Sequence, residues 1–133
     1  MENGRRLQNL FAGAAGEAAA ADFLRGRGFA VLERNWRNPA DRREEIDLVC
    51  REDGILVFVE VKARAHGARV PGYFAVDRRK RRALRRAIGA YLRLLPRRPR
   101  THRLDVVEVT QAAEGPRILH FENVELCSKP RRG

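Results

Sequence analysis

The chain has 133 residues, enough for one compact domain around one core, and 44% of them are apolar, so composition excludes a disordered protein. No apolar run approaches the roughly 18–20 residues that cross a bilayer, which excludes a membrane-spanning helix and a membrane partner. Basic residues number 28 against 17 acidic ones, and the resulting charge of +11 favours polyanionic partners.

Residues 7–27 read as a helix. Leu10, Ala14, Glu17, Ala21 and Leu24 fall on one face, so Glu17 lies on the stripe expected to meet the core. A carboxylate there needs a partner, because a lone buried charge is costly. Glu17 and Asp22 interrupt the alanine-rich stretch, which therefore reads as part of the mature protein and not as an export signal. Gly26 and Gly28 end the helix. A strand is expected over 29–37, followed by a polar connection, Asn38 to Arg43.

Asp53-Gly54 stands between two apolar runs, a strong hairpin signal, because both central positions of a type I′ turn need positive φ. The hairpin strands run about 44–51 and 55–64. The second is almost wholly apolar up to Glu60, as a strand covered on both faces would be. With Asp53-Gly54 as the turn, Asp47 faces Glu60 across the ribbon, at the roughly 4.5–5.5 Å Cβ spacing of opposed residues. Lys62, two residues on, points to the same side as Glu60.

Residues 65–75 read as a loop. A second helix follows at about 76–95, with Leu84, Ile88, Tyr91 and Leu95 as its buried stripe and Pro96 as its stop. Strands are expected at 102–110, where Leu104, Val106 and Val109 alternate with polar neighbours, and at 116–122. The order α-β-β-β-α-β-β implies an α/β sandwich of three layers with a mixed sheet of about five strands. One domain would then span residues 1–127, with a loose basic tail at 128–133. Cys50 and Cys127 show no metal-type spacing and read as reduced thiols of a cytoplasmic protein.

Two carboxylates and an amine in one small space suit metal-assisted phosphodiester hydrolysis. Mg²⁺ (or Mn²⁺) prefers oxygen ligands and keeps several waters, so Asp47, Glu60 and the carbonyl of Val61 suffice as metal ligands. Lys62 would orient or deprotonate the attacking water, and Glu17 would reach the centre as an outer ligand. Lysine usage supports this. Only Lys62, Lys80 and Lys129 are lysines among the 28 basic residues, so keeping a compact amine at 62 suggests more than simple charge. From Arg78 to Arg100 there are eleven basic residues and no acidic one. Within that stretch Lys80 and the arginines 78, 79, 81, 82, 85 and 86, together with Arg64 beside the motif, are the candidate nucleic-acid contacts; they would track the phosphate backbone and read little sequence. Trp36 and Tyr73 could stack on bases, although a strand tryptophan is usually core. A covalent hydrolase is disfavoured. Ser128 is the only serine, and His66, His102 and His120 have no nucleophile at a recognisable spacing.

These residues carry a resemblance. Gly16-Glu17, Arg34-Asn35-Trp36-Arg37, Glu45-Ile46-Asp47-Leu48-Val49, Leu56 through Arg64, Lys80 followed by Leu84, and Arg103-Leu104-Asp105-Val106-Val107 together resemble the YraN-like proteins of bacteria. That family is similar to the restriction-endonuclease-like PD-(D/E)XK superfamily, which includes archaeal Holliday-junction resolvases. The resemblance implies Asp47, Glu60 and Lys62 as the motif and Glu17 as its helix-borne acid. It also implies structured or branched DNA as substrate and, since junction cleavage takes two active sites, a homodimer. One departure is local: Glu44 stands where the family usually has glycine, behind Arg42-Arg43. The alternative is a non-catalytic basic nucleic-acid-binding protein that keeps the nuclease fold, since fold does not fix function.

Overall fold

A computed structural model describes residues 2–64 and 78–126, with side chains described from residue 13 onward in the first helix. The expected loop at 65–75, the tail, His66, Tyr73 and Cys127 lie outside the described residues. The elements are α1 (Glu2–Gly26), β1 (Ala30–Asn38), β2 (Asp41–Glu52), β3 (Ile55–Arg64), α2 (Arg78–Leu94), β4 (His102–Ala112) and β5 (Gly115–Phe121). They form the expected α/β architecture around one five-stranded sheet of order β1-β2-β3-β4-β5. Among the described strands only β3 and β4 run parallel, joined by the α2 crossover. The other neighbours are antiparallel hairpins.

The apolar run in β3 divides by parity. Leu56 and Phe58 pack with Leu84, Ile88 and Tyr91 of α2. Val57 and Val59 pack with Ala20, Ala21 and Leu24 of α1. A strand covered on both faces needs apolar residues at successive positions. Trp36 belongs to the α2-side core, where its ring meets Tyr91 edge-on at 5.2 Å between centroids. Cys50 is fully buried as a small hydrophobe, and burial pushes its thiol up to about 12. No helix among the described residues is long and apolar enough to cross a membrane.

One helix end and one turn follow from glycine. Gly28, at φ 91°, closes α1: its N–H donates to the Arg25 carbonyl and the N–H of Phe29 donates to that of Leu24. Phe29 and Leu24 then pack together, completing a Schellman motif. Asp53 and Gly54 have φ of 49° and 77°, as a type I′ turn requires. That turn sets the register, and the ladder runs from Glu52↔Ile55 to Leu48↔Val59.

Three expectations are corrected. The polar stretch 38–43 is not an open connection. Asn38 pairs with Asp41, and Pro39 and Ala40 alone make the turn. Side chains close it: Asn38 Oδ1 accepts from the Ala40 N–H at 3.0 Å, and Asp41 binds the Arg43 guanidinium through both oxygens. On α1, Ala14 is exposed, and the residue that meets the sheet is Gly16. A Cβ at Gly16 would come within 3.1 Å of the Ala63 side chain, so glycine lets the helix approach β3 there. On β4, the polar neighbours are not outward. Leu104 to Val109 are all buried, Asp105 and Glu108 included, because β4 is a central strand covered by both layers.

Candidate active site

Beyond Leu48↔Val59, a side chain takes the next place in the ribbon. Asp47 Oδ2 accepts the Val61 N–H at 2.8 Å, which fixes the carboxylate over β3. The Val61 amide thus reaches the centre as a clamp on Asp47. Glu60, 3% exposed, stands against the Asp47 carboxylate. The opposition expected from hairpin symmetry is present, with both carboxyls on one side.

Two amines meet Glu60. Lys62 Nζ lies 3.8 Å from its Oε1, and Lys80 Nζ, delivered by the first turn of α2, lies 3.3 Å from the same oxygen. Lys80 therefore does not share the outward course of its arginine neighbours. Helix phase decides this: the residue four places on, Leu84, is buried in the core.

Glu17 approaches from the other layer. Burial first and Asp47 second raise its pKa, while a hydrogen bond from Asn35 and the charge of Arg34 work the other way. Sequence pattern alone does not mark Asn35 as functional. It sits inside β1 with φ of 51°, a left-handed conformation that asparagine tolerates, and this turns its amide toward Glu17. The available signal was an asparagine within a strand, where that residue is depleted.

The electrostatics of this centre are strained toward neutralisation. Burial and then the Asp47 charge hold Glu60 well above the usual carboxylate range, and Lys80 and Lys62 offset this only in part. Burial alone would lower Lys80, but Glu60 and Asp47 outweigh it and hold the amine above its ordinary value. Among the described residues no group of three or more histidine, cysteine or acidic side chains forms a ready cage. The two facing carboxylates still fit a hard divalent ion. Mg²⁺ is commonly held by one or two carboxylates and keeps waters for the remainder of its shell.

In the metal-free protein, Glu60→Gln should raise the melting temperature at neutral pH by a few degrees, since about 1 kcal/mol moves a domain of this size by roughly 3–5 °C. A calorimetric scan of both proteins in EDTA tests this, and a lower melting point for the variant would count against the buried like-charge pair.

The arginines distribute differently. Arg78, Arg79, Arg82, Arg85 and Arg86 are exposed along α2, and Arg81 is half-buried. Arg64 turns to the buried Glu108 of β4, with Nε 3.6 Å from Oε1. His102 is exposed, whereas His120 is buried against Asp105, away from the carboxylate pair.

Comparison with known proteins gives a family without an assigned chemistry. A model described as "Uncharacterised protein family UPF0102" matches residues 16–109. A UPF0102 protein of Symbiobacterium thermophilum is 46% identical over 105 residues, covering 77% of this chain and 85% of the relative. One from Halorhodospira halophila is 45% identical over 95 residues, covering 68% and 70%. One from Geobacter metallireducens is 35% identical over 117 residues, covering 88% and 93%.

Proposed function

The chain belongs to the uncharacterised protein family UPF0102, and from its carboxylate site we propose that it is a metal-dependent endonuclease hydrolysing phosphodiester bonds of DNA, structured or branched forms included. The observation that carries this is the meeting of Asp47 and Glu60 from two strands with two lysines from a strand and a helix. Such a cluster costs folding energy, and proteins accept local costs of this kind where function needs them.

When bound, Mg²⁺ or Mn²⁺ supplies Lewis acidity toward a phosphoryl oxygen and toward water. Asp47 and Glu60 would hold the ion, with Asp47 already oriented by the Val61 N–H. Lys62, with its Nζ 3.8 Å from Glu60 Oε1, would orient the attacking water and hold a proton in exchange with it. Lys80 balances the charge gathered at Glu60 and the phosphate. Glu17, held by Asn35, would bind a water at the rim of the centre.

The exposed arginines of α2 support nucleic acid as the partner. They equally favour a second reading, a binding protein that keeps the fold without turnover. A junction substrate would need two sites and hence a second copy of the chain. A cytoplasmic location accompanies the proposal, in keeping with Cys50 as a free buried thiol.

The deciding experiment is a panel of linear, flapped, single-stranded and four-way DNA, with and without divalent cations, using the Lys62→Ala protein as contamination control. Cleavage that needs both the cation and Lys62 is expected. A wild-type protein that cuts none of these, or cuts as well without Lys62, would leave only the binding reading.

A further inference from the structure

Between α2 and the start of β2 lies an open hollow of about 550 Å³, lined by Glu44, Arg82, Arg85, Arg86, Gly89 and Arg93. Residues 82, 86, 89 and 93 follow i, i+4, i+7 and i+11, so they form one stripe, flanked by Arg85. The stripe is about 16 Å long at the rise of an α-helix.

Three features of this hollow are locally unfavourable. Arg82 and Arg86 are like charges one turn apart, which destabilises a helix. None of the four arginines lies in an ion pair among the described residues, although the charge of Arg86 reaches Asp41 and helps to lower its pKa. Gly89 sits inside the helix, where glycine is a poor choice. A Cβ at Gly89 would come 3.3 Å from the Arg93 guanidinium, so glycine gives Arg93 room to fold back over the helix. Four cations are thereby brought to one groove at the cost of helix stability.

Glu44 forms the opposite wall, its Oε2 accepting from Asn38 Nδ2 at 2.9 Å. It is a fixed carboxylate facing the cations, and it disfavours any phosphate pressed against its own side. The groove therefore favours a backbone that lies along the helix. The two elements that wall it also carry the carboxylate centre: Asp47 follows Glu44 on β2, and Lys80 precedes Arg82 on α2.

We propose that this groove is a binding track for one nucleic-acid phosphodiester backbone, carrying the strand away from the scissile phosphate, with Gly89 and Arg93 as parts of it and Glu44 as the residue that limits its affinity. The placement of the scissile phosphate rests on the nuclease reading; the track itself does not. Its occupant can be one strand of a duplex or a single strand, and salt dependence separates these, with slopes of about 0.9 and 0.7 per phosphate contact.

The test is anisotropy titration in EDTA, with a labelled duplex and the matching single strand, over a range of salt. A variant combining Arg82→Ala, Arg86→Ala and Arg93→Ala should bind at least about tenfold more weakly at low salt, with a salt slope reduced by about 2–3. Gly89→Ala should raise the melting temperature yet weaken binding, because the new methyl displaces Arg93. Glu44→Gln should tighten binding. Unchanged affinity and slope in the triple variant would overturn the track, and full affinity in Gly89→Ala would remove Gly89 from it. Since no cation is present, arginine-dependent binding by a protein that cuts nothing would sink the nuclease reading alone. Arginine-independent binding by a protein that cuts would sink the track alone.

Discussion

Asp47→Ala and Lys62→Ala are each expected to lower metal-dependent DNA cleavage by about 10²–10³-fold or more, with DNA binding in EDTA largely kept. Under the proposed nuclease reading the two residues have separate duties with the same outcome. Asp47 is aimed by the Val61 N–H, so its loss removes half of the carboxylate pair. Lys62 is the amine that continues β3 two residues beyond Glu60, on the same side. Lys62→Arg should not restore activity. A guanidinium stays charged and spreads that charge over a planar fork, whereas an amine is compact and can exchange a proton. Single-turnover cleavage on saturating substrate measures the chemical step free of product release. Lys80 supplies an internal comparison. Its amine lies nearer Glu60 than that of Lys62 does, at 3.3 against 3.8 Å, yet it arrives from the helix side. If Lys80→Ala proved the more damaging change, the helix lysine would hold the role assigned here to the strand lysine.

How far the sequence discloses this site depends on whether the geometry is local. Asp53-Gly54 fixes a turn by its own φ preferences, and a turn fixes register, so the opposition of Asp47 and Glu60 was legible with no tertiary knowledge. The two-sided burial of β3 was legible because parity translates directly into faces. Helix phase was not. Whether Lys80 or Arg81 points at the sheet depends on how α2 rolls as Leu84, Ile88 and Tyr91 settle against Phe58. Side-chain closure was not legible either. Pro39-Ala40 became a tight turn through the Asn38 and Asp41 hydrogen bonds, which a polar composition conceals. The left-handed backbone of Asn35 was hidden for a similar reason, since its purpose lies on α1, which meets it only in the folded chain.

The largest expected loss of stability lies in β4. Asp105 is fully buried, and its two oxygens take four donors: Arg103 Nε at 3.0 Å and Nη2 at 3.2 Å, His120 Nε2 at 2.8 Å and the Asn123 N–H at 2.9 Å. Arg27 also meets His120, at 3.1 Å from Nδ1. A guanidinium can only donate, so Nδ1 accepts from Arg27 and Nε2 donates to Asp105. One carboxylate thereby ties β4 to β5 and, through His120, to the end of α1. Asp105→Ala would leave the buried His120 donor without its acceptor and Arg103 with Glu52 alone, at 2.6 Å. Breaking a buried charged pair from one side costs about 3–5 kcal/mol, a large part of the roughly 5–15 kcal/mol that holds a domain folded. The pH dependence has a definite sign. Burial acts to raise the Asp105 pKa, but the bonds from His120, Arg103 and Asn123 outweigh it and hold it below its ordinary 3.8. A depressed carboxylate pKa stabilises the fold above the unfolded value, and the contribution fades as pH falls through the folded one. The melting temperatures of wild type and Asp105→Asn should therefore differ most near neutrality and converge below about pH 4. Thermal melts across that range measure the gap directly. A gap that stayed constant with pH would mean that Asp105 acts through its shape and hydrogen-bond count, with its charge contributing nothing.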